Sequence, residues 1–290
     1  VNSFEDLWRE SLREWFAPDG LRELVLYHYT TASGLLGILQ SGGLRGSNAR
    51  FLNDASEVSY GYALCSAVIE EELASRESET EVMLLSKLAA WIADEIAPSD
   101  VYVTSFTELP DDLAQWRGYG SRAGRFCIGF RAAQFSERNI LQFPQRVEYD
   151  VDRQRARVRG LLERGCAIVR AKSDQRTIES TVAEMSIFLG RLIALFKHPA
   201  FAAEREWRSI DVVREAFDLR RVEFEIVAGV PRPHVTMLEG SRTSRLLPII
   251  EVRVGDLSNN QRNVLAVRLL LDRFGYGNAR VNKTEVPFSE

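Results

Sequence analysis

LVLYHYTTASGLLGILQSGGL, residues 24–44, is the stretch on which the fold class turns. Leu24 to Tyr29 is a short apolar and aromatic run that predicts a strand. Thr31 or Ser33 can cap a helix carrying Leu35, Leu36, Ile38 and Leu39, and Gly42-Gly43 can take the left-handed conformation that ends it. The product is a strand, a turn, a short helix and a glycine exit. Repeated regularly, such a unit would build a doubly wound sheet, so the rest of the chain decides whether it repeats.

It does not repeat. Upstream, Ser3 can cap a helix whose stripe runs Phe4, Leu7, Trp8, Leu12 and Trp15, with Pro18 and Gly20 ending it. Downstream, two longer helices are expected, from about Ser56 into Glu70–Glu72 and from Ser78 through Ile96. From Val101 the pattern becomes short β-like runs, VYVTSFT, RFCIGF, ILQF and RVEY. Arg153, Arg155, Arg157 and Arg159 then alternate ahead of a long helix, roughly Asp174 to Phe196, stopped by Pro199. Glu206 to Val213, Val222 to Val227 and Leu246 to Val254 read as strands, and Ser258 can cap a last helix ending at Gly275. This irregular order predicts an α+β fold with a split or strongly bent β core and helices packed outside. A single domain over residues 1–290 is expected, with an N-terminal helix at 1–20, the α+β core at 21–54 and 100–285, and a helical insertion at 55–97.

Composition narrows the function classes. With 37 basic and 41 acidic residues the 290-residue chain carries a net charge of −4, so no overall positive field draws it to nucleic acid or anionic lipid. Cys65, Cys127 and Cys166 are odd in number and far apart, which argues against a disulfide framework or a structural zinc and suits a reducing cytoplasm. Phe4 to Phe16 lacks the features of a signal peptide, and no window is apolar enough to span a membrane. A cytoplasmic protein without membrane association is expected. One sequence leaves the oligomeric state open.

Four places hold residues that can carry chemistry. His28 and Thr30 sit at a strand end and can grip a ribose or a carboxamide; the alternative is a core histidine bonded to a backbone carbonyl, beside a capping threonine. Asn53, Asp54 and Glu57 can bind a metal, but Asp54 and Glu57 also stand at helix-cap spacing. Trp116 and Tyr119 lie one helical turn apart and can stack a planar ring while Arg117 meets a phosphate, or Trp116 can anchor the loop to the core. Glu204, Glu206 and Arg208 share one face if their strand reaches back to Glu204, as a site or as a surface ladder.

Taken together, Tyr27 to Thr30, Leu52 to Glu57, Ser105-Phe106 with Gln115 to Gly120, and Glu204 to Arg208 resemble the recurring pattern of the bacterial family known as domain of unknown function 2971. The order of His-x-Thr, helix, Gly-Leu, a strand Ser and a late Glu-x-Glu also resembles the three-part site of ADP-ribosyltransferases. That second resemblance implies an NAD-consuming transferase or glycohydrolase, in the setting of a toxin or phage-defence effector. It makes His28 the ribose binder, Ser105 the middle residue, Glu206 the catalytic glutamate and Glu204 its acceptor-orienting partner. NAD or a related nucleotide would be substrate, the acceptor a protein or nucleic acid, and no metal would be needed. The alternatives are a non-catalytic nucleotide- or protein-binding regulatory module and a metal-dependent nuclease using Asp54, Glu57 and Glu206.

Overall fold

The computed structural model describes residues 23–51, 55–93, 100–119, 125–135, 142–213, 218–227, 229–240, 246–255 and 260–287. The expected helix over 1–20, Asn53, Asp54, Ser258 and the side chains of Glu57 and Tyr119 lie outside that description. The architecture is α+β, with a mixed, open sheet.

The opening unit forms as its residues dictate. Strand β1 (Val25–Thr30) runs into helix α1 (Ala32–Ser41); the Thr31 side chain accepts the Gly34 N–H, and Gly42 closes the helix at φ 66°. Strand β2 (Leu44–Asn48) follows, then helices α2 (Ala55–Ala74) and α3 (Glu79–Ala93). Next come β3 (Asp100–Thr107), α4 (Leu113–Tyr119), β4 (Phe126–Arg131) and the two-residue β5 (Gln145–Arg146). The run ILQF contributes no strand among the described residues, and of RVEY only Arg146 is in one. The alternating arginines lie on a helix, α5 (Val151–Ala171), capped by Asp150. Helix α6 (Gln175–Leu195), β6 (Glu206–Val213), the hairpin β7 (Val222–Val227) and β8 (Val230–Met237), β9 (Ile249–Val254), α7 (Asn260–Arg273) and β10 (Arg280–Lys283) complete the order.

The sheet forks at β3. One edge of β3 is paired along its whole length with β6, from Asp100↔Val213 to Thr107↔Glu206. The other edge meets two different strands: β1 at Tyr27↔Thr107, and β2 at Ser47↔Val103 and Asn48↔Tyr102. From there one wing runs β1-β4-β9-β10 and the other β2-β8-β7. All named strand pairs are antiparallel except β9 with β10.

Side chains complete hydrogen bonding where the wings part. The Ser105 carbonyl accepts from His28 Nδ1 at 2.9 Å, and the Arg45 carbonyl accepts from Thr104 Oγ1 at 3.0 Å. Such substitutions matter because a buried carbonyl left without a partner is costly.

Two cores flank the sheet. Helices α2, α3, α5 and α6 pack together against Val103, Ile210 and Val212 on one face. On the other, α1 and α7 cover Tyr102, Phe106, Phe130 and Trp207. This division follows strand alternation, since Val103 and Ile210 are opposed on one face while Phe106 and Trp207 are opposed on the other. Cys65, Cys127 and Cys166 are buried free thiols. Among the described residues no helix is long and apolar enough to cross a membrane.

Candidate functional site

A cleft of roughly 600 Å³ opens where β1 and β2 diverge from β3. Cross-strand register brings Ser105 opposite Arg208 and Thr107 opposite Glu206, so these four share one face. The sequence reading needed β6 to extend back to Glu204. Instead β6 begins at Glu206, and Glu204 ends a 3-10 turn, Pro199–Glu204, after which Arg205 takes φ 46°. Thr107 Oγ1 donates to the Glu204 carbonyl at 2.7 Å, and the Glu108 N–H to that of Arg205 at 3.3 Å, fixing the turn beside β3.

The floor is an ion cluster. Lys197 Nζ donates to Glu204 Oε2 at 2.6 Å and to Glu206 Oε2 at 3.1 Å. Arg208 forks onto the same carboxylate, Nε to Glu206 Oε1 at 2.7 Å and Nη2 to Oε2 at 2.9 Å, while its Nη1 donates to the Ala194 carbonyl at the end of α6. A cation there also complements the negative end of the helix dipole. The Ser105 hydroxyl bonds Glu206 as well. Burial pushes the Glu206 carboxyl up, but Arg208, Lys197 and these hydrogen bonds outweigh it and hold the group below its ordinary value. Glu206 is therefore a fixed anion and a poor proton donor near neutrality.

Glu204 differs from its neighbour. Its side chain is 30% exposed to Glu206's 6%, and it is held by Lys197 through Oε2. Glu204 lines the cleft, and its Oε1 takes no part in the bond to Lys197. Tyr149 stands behind both carboxylates; its hydroxyl oxygen accepts the Glu206 N–H at 3.1 Å, and burial pushes it up to about 12.

His28 and Thr30 line the cleft from β1. Burial lowers the His28 pKa, partly offset by the Ser105 carbonyl, so the ring is neutral at pH 7. With Nδ1–H donated to that carbonyl, Nε2 is the acceptor nitrogen. His28 is thus a carbonyl-bonded histidine, as one reading had it, that also lines the cleft. Thr31 is the helix cap, which leaves the Thr30 side chain to the cleft.

Of the two readings of Trp116, the structure shows the core anchor. Trp116 is 1% exposed, packs edge-on to Tyr29 at 4.8 Å and donates Nε1–H to Asp111 at 2.7 Å. It is core because the short α4 turns that face inward, leaving Ala114, Gln115 and Gly118 at the cleft. Arg117 is exposed and is not among the cleft-lining residues. Lys197 escaped the sequence reading; the available signal was a lysine, scarce in this chain, directly after a long apolar helix.

Among the described residues no group of three His, Cys, Asp or Glu side chains is placed to hold a metal ion. No curated protein and no solved structure matches the chain. Residues 115–209 match the family model described as a protein of unknown function (DUF2971), a stretch that holds Gln115, Lys197, Glu204, Glu206 and Arg208 and supports the first of the two resemblances.

Proposed function

We propose that the protein splits the nicotinamide–ribose bond of NAD or a related nucleotide, as a glycohydrolase or an ADP-ribosyltransferase, on an ADP-ribosyltransferase-like core. One observation carries this reading: His28, Ser105, Glu204 and Glu206, from distant parts of the chain, line the same cleft at the fork. The bond between the ribose C1′ and the nicotinamide nitrogen breaks, and its electron pair neutralises the pyridinium ring. The ribose is left cationic, and carboxylates held beside it stabilise that charge as it develops. Glu206 supplies a fixed negative charge, oriented by Arg208, Lys197 and Ser105. Glu204 presents the oxygen not bonded to Lys197, which bonds a ribose hydroxyl or takes the proton of the attacking water or acceptor. His28 Nε2 accepts from a second ribose hydroxyl. With water the products are nicotinamide, ADP-ribose and a proton; a protein or nucleic-acid acceptor would take the ADP-ribosyl group instead. Consumption of NAD in this way fits a toxin or a phage-defence effector.

A second reading, a nucleotide-binding regulatory module, draws on the same ion cluster, since a carboxylate so fully bonded as Glu206 is also a good structural pin. The nuclease alternative is weaker, because Arg208 and Lys197 occupy both oxygens that Glu206 would offer a cation.

Nicotinamide release from NAD tests the proposal. Release by the wild type, lost at least 100-fold in Glu204→Gln with an unchanged melting temperature, is the expected result. NAD binding in calorimetry without release would favour the regulatory module. Neither binding nor release would end the proposal.

A further inference from the structure

The β2-β8-β7 wall of the cleft has no part in the chemistry above, yet it is built from charge. Arg45 on β2, Arg232 on β8 and Glu225 on β7 all line the cleft. Register sets their geometry. Arg232 lies directly opposite Glu225, while Arg45 lies opposite Thr236, four residues further along β8. Arg45 nevertheless reaches Glu225, its Nη1 at 2.6 Å from Oε2. Its side chain must run along the sheet to end at the carboxylate whose residue is registered with Arg232, so both arginines line one wall of the cleft and Glu225 is bonded to Arg45.

Neither arginine is spent there. The Arg45–Glu225 pair is exposed on both sides, at 50% and 42%, and such pairs exchange readily with other partners in water. Arg232 gives Nη1 to the Phe51 carbonyl at 3.1 Å, which fixes its orientation, while its Nε is buried without a hydrogen-bond partner. The floor of the cleft is matched, Lys197 and Arg208 against Glu204 and Glu206. The wall has two cations to one anion.

We infer that Arg45 and Arg232 form an anion subsite for the diphosphate of a small nucleotide, at the opposite side of the cleft from His28. Guanidinium forks suit phosphoryl oxygens because each presents two parallel N–H groups to two oxygens. Arg45 takes up a phosphoryl oxygen in exchange for Glu225, and Arg232 offers the guanidinium edge left free by Phe51. The assignment rests on the reading of the cleft as a nucleotide site and sharpens it: charge on the phosphates, rather than the base, supplies the main hold.

Calorimetry of the full chain with ADP, adenosine, inorganic pyrophosphate and a short single-stranded oligonucleotide tests the inference. ADP and pyrophosphate should bind and adenosine should bind at least tenfold more weakly than ADP. Arg232→Gln and Arg45→Gln should each weaken ADP tenfold or more. Arg45 is exposed, so its variant decides the matter if Arg232→Gln fails to fold. Equal affinity for ADP and adenosine, unchanged ADP affinity in the variants, or binding of the oligonucleotide alone would overturn the subsite. Arginine-dependent ADP binding without nicotinamide release would keep the subsite and remove the enzyme. Nicotinamide release with a KM indifferent to both arginines would do the reverse.

Discussion

Glu206 and Trp116 show how burial decides what a side chain can be used for. Glu206→Gln leaves Lys197 and Arg208 buried with one carboxylate fewer, and breaking a buried pair this way costs about 3–5 kcal/mol, measurable by denaturant unfolding. The pH dependence has a definite sign. Because the folded state holds the Glu206 carboxyl below its ordinary value of 4.5, its contribution is complete above that value and is lost as pH falls through the lower, folded-state value. The Gln variant should therefore show a flatter acid limb, and identical acid limbs would contradict the ion cluster. Trp116→Ala should cost about 3–5 kcal/mol as a core truncation, and Trp116 emission should stay constant as NAD is added. A ligand-dependent change would put the indole back at the site. At this scale His28, Thr30, Ser105, Glu204 and Glu206 were legible as local motifs. For Trp116 the sequence offered both a stacking face and a core anchor, and the choice between them rests on its edge-on contact with Tyr29, which is remote in the chain. Lys197 has no motif of its own; it acts only because α6 ends against β6.

Helix α6 delivers Lys197, and its position depends on a close crossing with α2. A Cβ added at Gly61 would lie 2.5 Å from the Ile193 carbonyl oxygen and 3.0 Å from its Cα, both backbone atoms that cannot step aside. Gly61→Ala should push the helices apart at a cost of about 1–3 kcal/mol or more, and shift Lys197 enough to lower site activity beyond the loss of folded protein. Unchanged stability would mean the crossing is looser than described. The elements that periodicity revealed were those with one plain signal, such as α1, β3 and β6. Helix α5 was obscured because arginine at every second position imitates strand alternation. Its buried set, Gln154, Val158, Leu161, Leu162, Gly165, Cys166 and Val169, has helical spacing throughout and was the better guide. Strand β8 carries Pro231 and Pro233, residues that argue against a strand. They are tolerated because β2 pairs only with 234–237, leaving an edge open at 231 and 233. Strand β2 alternates buried and exposed residues, but Gly46 and Asn48 at its buried positions give no apolar alternation, and β10 has only four residues.

For the molecule as a whole, the α+β class was readable from the irregular order of strands and helices, but the fork was not. Which strands share an edge of β3 is set by contacts between residues as distant as 27 and 107, which no local pattern records. The fork also has a consequence for exchange of backbone hydrogens with solvent. Eight consecutive register pairs tie β3 to β6, whereas one pair ties β1 to β3 and two tie β2 to β3. The wings can swing about β3 while the central ladder stays intact, so amides at the two junctions should exchange through local opening and those of the β3–β6 ladder only through global unfolding. A nucleotide held by Arg232 on one wing and His28 on the other would bridge the gap, and deuterium uptake at Tyr27, Ser47 and Asn48 should slow when it binds. Uniform protection along both edges of β3 would mean that the wings move as one plate and that the width of the cleft is set before any ligand arrives.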